Sequence, residues 1–357
     1  MGCAMCSTRA RDGKARMTDL LNIDNLHLEF HTYDGVVKVL AGVNLKMRRG
    51  DVLGLVGETG CGKSMTALSV PRLIPMPPGR ITAGRVTFNG EDILSKSESE
   101  MEAFRARHVG MIFQDPVTNL NPLFTIREQL VDAVLYQQAQ GKKVPGRWRG
   151  FTPSVRQMRK EAHERAVELM RLTGIPDGDK RIYDYPHQFS GGMRQRVLIA
   201  MALAGDPDLL IADEPTTALD VTIQAQILRL IRSLVAQLGL TVLLITHNLG
   251  VVARSCERVA VMYAGRVVEE SPVRELFHNP KHPYTRGLIA AVPQKDINRG
   301  GLEGIPGIIP NLINPPSGCR FNPRCEHAMD ICRGSVPPAI EVGAGHTASC
   351  FLYGEDA

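Results

Sequence analysis

The hydrophobic pattern of the chain changes along its length, and each change predicts a different kind of element. From Leu21 onward, apolar and polar residues alternate as in half-exposed strands, for example in IDNLHLEF and VKVLAGVNLKMRRG. Later apolar runs are continuous and strand-sized, as in DVLGLV, PDLLIADEP and LTVLLITHN, which is typical of buried parallel strands. The helical stretch VTIQAQILRLIRSLVAQLG separates the last two runs. The pattern therefore predicts an α/β core that contains βαβ crossovers.

Two further regions depart from this core, which is predicted over residues 18–270. Between about residues 116 and 205, apolar positions recur at three- and four-residue spacing and predict an inserted helical subdomain. Past residue 270, proline and glycine become more frequent, which predicts a small loop-rich C-terminal unit over 271–357, joined to the core by a linker. Residues 1–17 are polar and basic, lack the apolar stretch of a secretory signal, and are predicted to form a disordered tail.

Composition excludes some classes of protein. The 357 residues are 43% hydrophobic and 22% charged, as in an ordinary globular protein, and no apolar run is long enough to cross a bilayer. The net charge of +5 is modest and does not require a nucleic-acid partner. The basic segment 138–160 contains the single Trp and no acidic residue. We interpret it as a solvated loop, with contact to lipid headgroups or to nucleotide chains as the alternatives.

The stretch GETGCGKS, residues 57–64, matches the phosphate-binding loop pattern G-x-x-x-x-G-K-S/T between a predicted strand and a predicted helix. Its glycines allow tight turns that aim backbone N–H groups at phosphates, Lys63 reaches the β- and γ-phosphates, and Ser64 ligates Mg²⁺. Cys61 is either a thiol of low pKa whose oxidation would impair nucleotide binding or, as we favour, a small residue without a special role. The predicted nucleotide-binding residues of this stretch are Gly57, Glu58, Thr59, Gly60, Cys61, Gly62, Lys63, Ser64 and Met65.

Two adjacent carboxylates, Asp213 and Glu214, end the apolar run LLIADEP, at the sheet edge where ligands of open α/β sheets bind. Asp213 is predicted to hold Mg²⁺ through its water shell, and Glu214 to be the catalytic base toward the water that attacks the γ-phosphate. Just upstream, SGGMRQR places Ser190 as an N-cap before a predicted helix, which is a second anion-binding helix N-terminus.

The order and spacing of these motifs resemble those of the ATP-binding cassette (ABC) ATPases over about residues 20–270. The motifs are GETGCGKS, IFQDP at 112–116, SGGMRQR, LLIADEP, TALD at 217–220 and LLITHN at 243–248. The resemblance implies an α/β fold with an ABC-type P-loop NTPase core, in which a RecA-like parallel sheet carries an antiparallel β subdomain and the helical subdomain. It also implies an ATPase whose cofactors are ATP and Mg²⁺.

The same resemblance implies roles for residues around the nucleotide. Gln114 is similar to the Q-loop glutamine, which contacts the Mg²⁺ and the attacking water and lies at the hinge to the helical subdomain. His247 is similar to the switch histidine on the γ-phosphate. Tyr33 is the expected aromatic that stacks on adenine, with Phe30 and His31 as close alternatives.

Other motif residues are implied to act between two subunits. Ser190, Gly191 and Gly192 are similar to the signature that binds the γ-phosphate of ATP held by the opposite subunit. Asp220 is similar to the D-loop aspartate at the dimer interface. ATP is therefore expected to close a dimer, and its hydrolysis to open it.

Four cysteines of the C-terminal unit, Cys319, Cys325, Cys332 and Cys350, pose a separate question. In a reducing compartment such a group favours metal ligation over disulfides. Structural zinc typically uses more closely spaced pairs, so the spacing suits a larger iron–sulfur core held by four thiolates, with zinc and free or disulfide-forming thiols as alternatives. Nearby, His327 and His346 are alternative ligands but are expected to be surface histidines.

The stretch VVEESPVRELFHNPKHPYTRGLIAAVP, followed by GCRFNPRC, resembles the C-terminal extension of ATP-binding subunits in bacterial dipeptide and oligopeptide importers. The resemblance then covers about residues 21–353 and implies that the four cysteines bind a 4Fe-4S cluster. Fastening a unit with little core is the favoured role of such a cluster, and redox sensing is the alternative.

This resemblance also implies a function and its partners. The chain is expected to hydrolyse ATP to power import of di- or oligopeptides, or related solutes, as a peripheral subunit at the cytoplasmic face of the cell membrane. The expected partners are a second ATPase subunit, taken to be a paralogue, two transmembrane permease subunits and an extracytoplasmic substrate-binding protein, without nucleic acid. The alternative is a soluble ABC ATPase acting on nucleic acid or ribosomes. Such proteins usually carry paired cassettes or long coiled-coil insertions, whereas this sequence has one P-loop and neither feature.

Overall fold

A computed structural model describes residues 19–114, 119–139, 153–217, 219–292 and 304–354. The tail predicted over 1–17 lies outside the described residues, as do residues 140–152 of the basic segment. In chain order, the strands are β1 (Asp19–Thr32), β2 (Gly35–Arg48), β3 (Val52–Val56), β4 (Gly79–Phe88), β5 (Glu91–Asp92), β6 (Val109–Ile112), β7 (Leu209–Asp213), β8 (Thr241–Thr246), β9 (Arg258–Tyr263), β10 (Arg266–Pro272), β11 (Ile340–Gly343) and β12 (His346–Ala348).

The helices alternate with the strands in the core and cluster in its middle third. In chain order they are α1 (Lys63–Ser69), α2 (Glu98–His108), α3 (Ile126–Gln138), α4 (Pro153–Leu172), α5 (Gly178–Arg181), α6 (Gly191–Ala202), α7 (Val221–Leu238), α8 (Leu249–Ser255), α9 (Val273–His278), α10 (Pro283–Ala290) and α11 (Asp330–Gly334). No helix of the described residues is both long and apolar enough to span a bilayer.

The main sheet has eight strands in the spatial order β11, β12, β10, β9, β3, β8, β7, β6. Its centre is parallel, because β3 pairs in parallel with β8 and β9, and β7 with β6 and β8. Every residue of β3, β7 and β8 is buried, as their continuous apolar runs predict. The α/β core with a parallel sheet is therefore confirmed.

A second sheet of four strands, in the order β2, β1, β4, β5, is antiparallel. Strands β1 and β2 form a long hairpin in which Thr32 pairs with Gly35, and the alternating pattern of the sequence buries one face of each strand. This sheet is the antiparallel β subdomain that the sequence predicts.

The helices between β6 and β7 form a separate layer. Helices α3, α4 and α6 pack on one another through a common apolar cluster that includes Leu130, Val134, Ala166 and Ile199. The start of α3 is fixed by a capping box, in which Thr125 and Glu128 satisfy each other's backbone N–H groups. These helices occupy most of the region predicted to be an inserted helical subdomain.

The C-terminal unit differs from the expected appendage, because it continues the main sheet. Strand β12 pairs with β10, and β11 pairs with β12, so two strands of the C-terminal unit extend the edge of the core sheet. Each of these strands is short, and the glycines of EVGAGHTA obscure their alternation in the sequence.

A buried polar group anchors this arrangement. The carboxylate of Glu269 in β10 accepts hydrogen bonds from the backbone N–H groups of Lys281 and His282, each at 2.8 Å. Its Oε1 also lies 2.7 Å from Nε2 of His346. The prediction that His346 is a surface histidine is therefore wrong: only 1% of it is exposed, because it faces the buried Glu269. His327 is exposed, as expected.

Candidate nucleotide-binding site

The loop 57–62 joins β3 to α1 and has the backbone form that its glycines permit. Gly57 has a φ of +155°, and a Cβ there would lie 2.1 Å from the carbonyl oxygen of Met262. Gly62 has a φ of +104° and precedes α1 without a side-chain cap. The N–H groups of the first turn of α1, including that of Ser64, therefore have no intrahelical acceptor. Such N–H groups at a helix N-terminus are suited to phosphate oxygens.

Lys63 lies inside this loop. Its Nζ donates to the carbonyl oxygens of Gly57 at 2.8 Å and Glu58 at 2.9 Å, and only 6% of the residue is exposed. The ammonium group is thus held by the backbone of the loop itself. Among the other predicted residues, Thr59 and Gly60 are exposed, whereas Met65 is half-buried beside Ser64 in the first turn of α1.

Cys61 does not have the environment of a reactive thiol. It is fully buried, and burial raises the pKa of its thiol above the ordinary value despite the opposing effect of Lys63. The interpretation as a thiol of low pKa is therefore wrong, because burial outweighs the nearby ammonium group and the helix N-terminus.

Asp213 at the end of β7 lies beside Ser64. The hydrogen bond with Ser64 lowers the pKa of Asp213, but burial raises it more, so that the pKa lies above its ordinary value. Its Oδ1 is buried and has no hydrogen-bond partner in the part of the chain that the structure describes. An orphaned carboxylate oxygen next to a serine hydroxyl is a donor set of the kind Mg²⁺ prefers. The residues present therefore fit the predicted Mg²⁺ site.

Glu214 follows Asp213, the last residue of β7, in a left-handed backbone conformation with a φ of +47°. Three side chains surround the Glu214 carboxylate. Gln114 Nε2 donates to Oε2 at 3.0 Å, Thr217 Oγ1 donates to Oε2 at 2.9 Å, and His247 Nδ1 lies 2.9 Å from Oε1. The structure thus brings together three residues that the sequence places in separate motifs, and adds Thr217, whose role the sequence analysis missed.

The surroundings of Glu214 favour its ionised form. Burial by itself would raise its pKa, but the hydrogen bonds from His247 and Thr217 and the positive charge of Lys63 lower it below the ordinary value. An ionised carboxylate that is held by three donors can accept a proton from an attacking water. The geometry therefore suits the predicted role of catalytic base.

No hydrogen bond among the described residues connects the signature residues Ser190, Gly191 and Gly192 to the loop 57–64. Ser190 caps α6 by accepting from the N–H of Met193 at 3.4 Å. A Cβ on Gly192 would lie 2.6 Å from Ile223, which leaves no room for a side chain. This helix N-terminus is free to contact a group supplied by another molecule.

Asp220 adjoins the signature through α7. Its Oδ1 accepts from the N–H of Ile223 at 2.9 Å and so caps α7. The same Ile223 packs on Gly192, so the predicted D-loop aspartate and the signature are held by one helix. Tyr33 occupies the tip of the β1–β2 hairpin and is fully exposed, and its adenine-stacking role stays a prediction.

The four C-terminal cysteines line one pocket, together with Phe321 and His327. All four are free thiols. Burial raises the pKa of Cys319 to about 11 and also raises those of Cys325 and Cys350. The described residues contain no group of three or more His, Cys, Asp or Glu side chains placed to hold a metal ion. Four thiols around one pocket are the type of donor that binds a four-thiolate cluster, but in the described residues they are not placed closely enough to form a metal site.

Two residues of the C-terminal unit contact the phosphate-binding loop and were missed from sequence. Tyr284 accepts a hydrogen bond from the N–H of Glu58 at 2.9 Å, and Arg324 lies 3.1 Å from the Glu58 carboxylate. Neither residue belongs to an ATPase motif, although both stand within the quoted stretches of the C-terminal extension, Tyr284 in VVEESPVRELFHNPKHPYTRGLIAAVP and Arg324 in GCRFNPRC. The contacting residues are 226 and 266 positions apart in the chain, and no local sequence pattern predicts a contact over such a distance.

A phosphate-binding loop, an acidic strand end with a held glutamate and a separate signature helix define the ATP-binding cassette class of ATPases. Residues 40–217 match the family profile described as ABC transporter. Residues 268–332 match the profile described as oligopeptide/dipeptide transporter, C-terminal region.

Relatives of known sequence cover nearly the whole chain. A probable peptide ABC transporter ATP-binding protein of Sinorhizobium fredii is 48% identical over 94% of this chain and 96% of its own length. The oligopeptide transport ATP-binding proteins OppD of Bacillus subtilis and Salmonella typhimurium are 46% and 45% identical, over 96% and 93% of this chain and 91% and 93% of their own lengths. The chain therefore belongs to the ABC transporter family, in the group of its peptide-transport ATP-binding proteins, and it is an ATPase.

Solved structures agree with the fold. The ATP-binding cassette MJ0796, in a dimeric post-hydrolysis state bound to ADP and phosphate, is 26% identical with a TM-score of 0.59, covering 71% of this chain and 99% of its own. CbiO1 from Clostridium perfringens, part of an ABC transporter complex, is also 26% identical with a TM-score of 0.59, covering 73% and 91%. The expected ABC-type core is confirmed.

Proposed function

We propose that this ATPase powers the import of di- or oligopeptides, or of related solutes, across the cytoplasmic membrane. The observation that carries the proposal is the combination, in one chain, of an ABC cassette with the oligopeptide/dipeptide transporter C-terminal region. Peptide-transport ATP-binding proteins at 43–48% identity align along both parts. The C-terminal region therefore favours a peptide transporter over an ABC ATPase of another function.

The site residues suggest how hydrolysis proceeds. The loop 57–64 binds the phosphates of ATP through backbone N–H groups and Lys63, while Ser64, Gln114 and Asp213 would hold Mg²⁺. The ion, when bound, neutralises charge on the phosphates. Glu214 accepts a proton from the attacking water, and its three hydrogen-bond donors keep the carboxylate oriented toward the site.

A two-subunit mechanism is supported by the signature residues at the start of α6, which make no hydrogen bond to the loop 57–64 in the described part of their own chain. Ser190, Gly191 and Gly192 bind the ATP held by a second ATPase subunit, and Asp220 lies at the interface between the two. ATP then acts as a ligand that joins two chains, and its hydrolysis removes that link. A dimeric cassette bound to ADP and phosphate among the similar structures supports this reading.

The proposed partners follow from the same function. Two permease subunits in the membrane contact the ATPase dimer, the second ATPase subunit is a paralogue, and an extracytoplasmic binding protein delivers the solute. The chain is then a peripheral subunit at the cytoplasmic face. The alternative, a soluble ABC ATPase that acts on nucleic acid or ribosomes, is not favoured, because the similar proteins named above are peptide-transport subunits.

The test is co-expression of this chain with the gene products encoded beside it, followed by purification in detergent through a tag on this chain. We expect two integral membrane proteins to copurify, and uptake of radiolabelled di- or oligopeptides by vesicles that contain the complex and enclosed ATP and are supplied with the binding protein on the outside. The Lys63→Ala complex, which is matched in all other respects, should show no uptake. Purification of a soluble complex with nucleic acid or ribosomes would overturn the proposal.

We further propose that Cys319, Cys325, Cys332 and Cys350 hold a 4Fe-4S cluster. The common pocket that the four thiols line supports this donor set. Anaerobic purification followed by iron, sulfide and zinc analysis tests it, with about four irons per chain expected for a single cluster. Zinc, or no metal, in the anaerobic protein would overturn it, and Cys332→Ser should abolish the iron.

A further inference from the structure

Glu58, the second residue of the phosphate-binding loop, is the meeting point of contacts from two parts of the chain. From within the loop, its carbonyl oxygen accepts from Lys63 Nζ at 2.9 Å and from the N–H of Cys61 at 3.3 Å. From the C-terminal unit, Tyr284 Oη accepts its N–H at 2.9 Å, and Arg324 Nη1 donates to its carboxylate at 3.1 and 3.3 Å. Every polar group of Glu58 therefore has a partner.

Arg324 is held firmly on its own side of this contact. Its Nε donates to the carbonyl of Pro306 at 2.8 Å and its Nη2 to the carbonyl of Ile305 at 3.1 Å. The guanidinium lies over the ring of Tyr263, 5.8 Å from the centroid, and only 6% of the side chain is exposed. A buried guanidinium that is fixed at two nitrogens presents a rigid partner to a carboxylate through the third.

Tyr284 is equally constrained. It is fully buried in α10, and its ring packs against Tyr263 and Phe321, with centroids 4.6 and 5.4 Å away. Its hydroxyl therefore has a fixed position, and the hydroxyl oxygen accepts a hydrogen bond from the backbone N–H of Glu58 at the start of the loop. This contact does not involve the N–H groups at the start of α1, which suit phosphate.

From these contacts we infer that Tyr284 and Arg324 are positioning residues for nucleotide binding. They hold Glu58, and through its carbonyl Lys63, in the geometry that receives the phosphates, so the ATP affinity of the cassette depends on its C-terminal unit. The inference rests on the proposed role of the loop 57–64. A loop held in its binding form before ATP arrives loses less conformational entropy on binding, which increases affinity.

The effect should fall on binding and not on the chemical step. Neither residue contacts Glu214, Gln114 or His247 in the described part of the chain, so the orientation of the catalytic base does not depend on them. Arg324→Gln should raise the KM for ATP on the order of tenfold, the loss expected for one charge-assisted hydrogen bond, and leave kcat within about twofold. Tyr284→Phe, which removes a neutral acceptor, should raise KM about threefold.

The experiment measures ATP binding by calorimetry and KM and kcat by phosphate release, using the full-length chain. Arg333→Gln is the matched control, because Arg333 is an exposed arginine of the same C-terminal unit. It should leave both constants unchanged. Arg324→Lys retains the positive charge opposite Glu58 and should recover part of the affinity lost in Arg324→Gln.

A double-variant comparison separates positioning from a general loss of structure. Glu58→Gln removes the same ion pair from the loop side and keeps the bonds of Arg324 to Pro306 and Ile305. If the pair acts as one contact, adding Arg324→Gln to Glu58→Gln should weaken ATP binding little further. Additive losses, or an unchanged KM in both Arg324→Gln and Tyr284→Phe, would overturn the inference.

The Lys63→Ala variant distinguishes a failure of the loop assignment from a failure of the positioning inference. If Lys63→Ala binds ATP like the parent, the assignment of the loop itself fails. If Lys63→Ala loses ATP while the Tyr284 and Arg324 variants bind it normally, the loop assignment stands and only the positioning inference fails. Melting temperatures of the nucleotide-free chains, measured alongside, identify any variant that has lost its fold.

Discussion

Replacing Glu214 with Gln tests the chemistry of the site most directly, because it removes one negative charge and almost no volume. In the parent, the carboxylate is ionised at neutral pH, since its hydrogen bonds with His247 and Thr217 lower its pKa despite partial burial. Gln cannot accept a proton from water, but its carbonyl oxygen can keep the contact with His247. We therefore expect Glu214→Gln to fold and to bind ATP while losing hydrolysis.

The size of the loss can be set from the role. A general base typically contributes about 10²- to 10⁴-fold in rate, which corresponds to about 2.7 to 5.4 kcal/mol of barrier. By contrast, the amide group faces the donors of Gln114 and Thr217, which costs the folded state about one hydrogen bond, on the order of 1 kcal/mol. The effect on kcat should thus greatly exceed the effect on stability.

The assay is phosphate release from the assembled transporter at saturating ATP, with ATP binding measured separately. Glu257→Gln is the matched control, because Glu257 is an exposed glutamate elsewhere in the cassette. It should hydrolyse ATP like the parent. A Glu214→Gln protein that retains more than about a tenth of the parent's kcat would refute the assignment of Glu214 as the base.

Three further outcomes are expected. Lys63→Ala should weaken ATP binding at least about tenfold, because it removes a charged donor to the phosphates, and unchanged affinity by calorimetry would contradict the loop assignment. Glu269→Ala should lower the free energy of unfolding by about 3 kcal/mol or more in urea titrations, since two buried donors and one partly buried donor lose their acceptor, whereas the exposed Glu341→Ala should have little effect. Asp208, although burial opposes it, has a pKa lowered to about 2 by hydrogen bonds from His108 and Arg49. A lowered pKa contributes stability that is complete above the unfolded value near 3.8 and is lost as pH falls toward 2, by about 1–2 kcal/mol after allowance for solvent screening. Urea midpoints measured from pH 5 down to pH 3 should therefore fall less in Asp208→Asn than in the parent, and equal slopes would argue against this contribution.

Local signals made much of the fold predictable. The continuous apolar runs of β3, β7 and β8 predicted that both faces of these strands are buried. The glycines after β3 predicted a loop with tight turns. Gln114 and His247 beside Glu214 were predictable because each belongs to a short motif with a fixed place relative to a strand end, whereas the role of Thr217 was not. Local sequence patterns were therefore sufficient to predict the main strands and helices and most of the candidate site.

Contacts between distant segments were not predictable in the same way. In the sequence, Arg324 is a basic residue between two cysteines, and nothing there predicts its contact with Glu58, which only the folded structure shows. His346 stands in a short glycine-containing stretch that suggests a surface loop, yet it is buried because Glu269 offers it a carboxylate. Cys61 was misjudged in one interpretation because burial, which outweighs the nearby ammonium, depends on tertiary packing. These outcomes depend on partners that no local pattern specifies.

The pairing of β12 with β10 has a consequence for how this chain can be divided. Strand β10 has neighbours on both sides, β9 and β12, so a protein that ended near residue 272 would leave one side of β10 without its ladder. An unpaired strand edge is a template for association with other chains. Among the described residues, the strand at this edge of the sheet is instead β11, four residues long and preceded by Pro337 and Pro338, which is a poor template for further pairing. The C-terminal unit therefore also protects the cassette from aggregation, and shortened versions of this ATPase should be expected to self-associate even where their nucleotide site is complete.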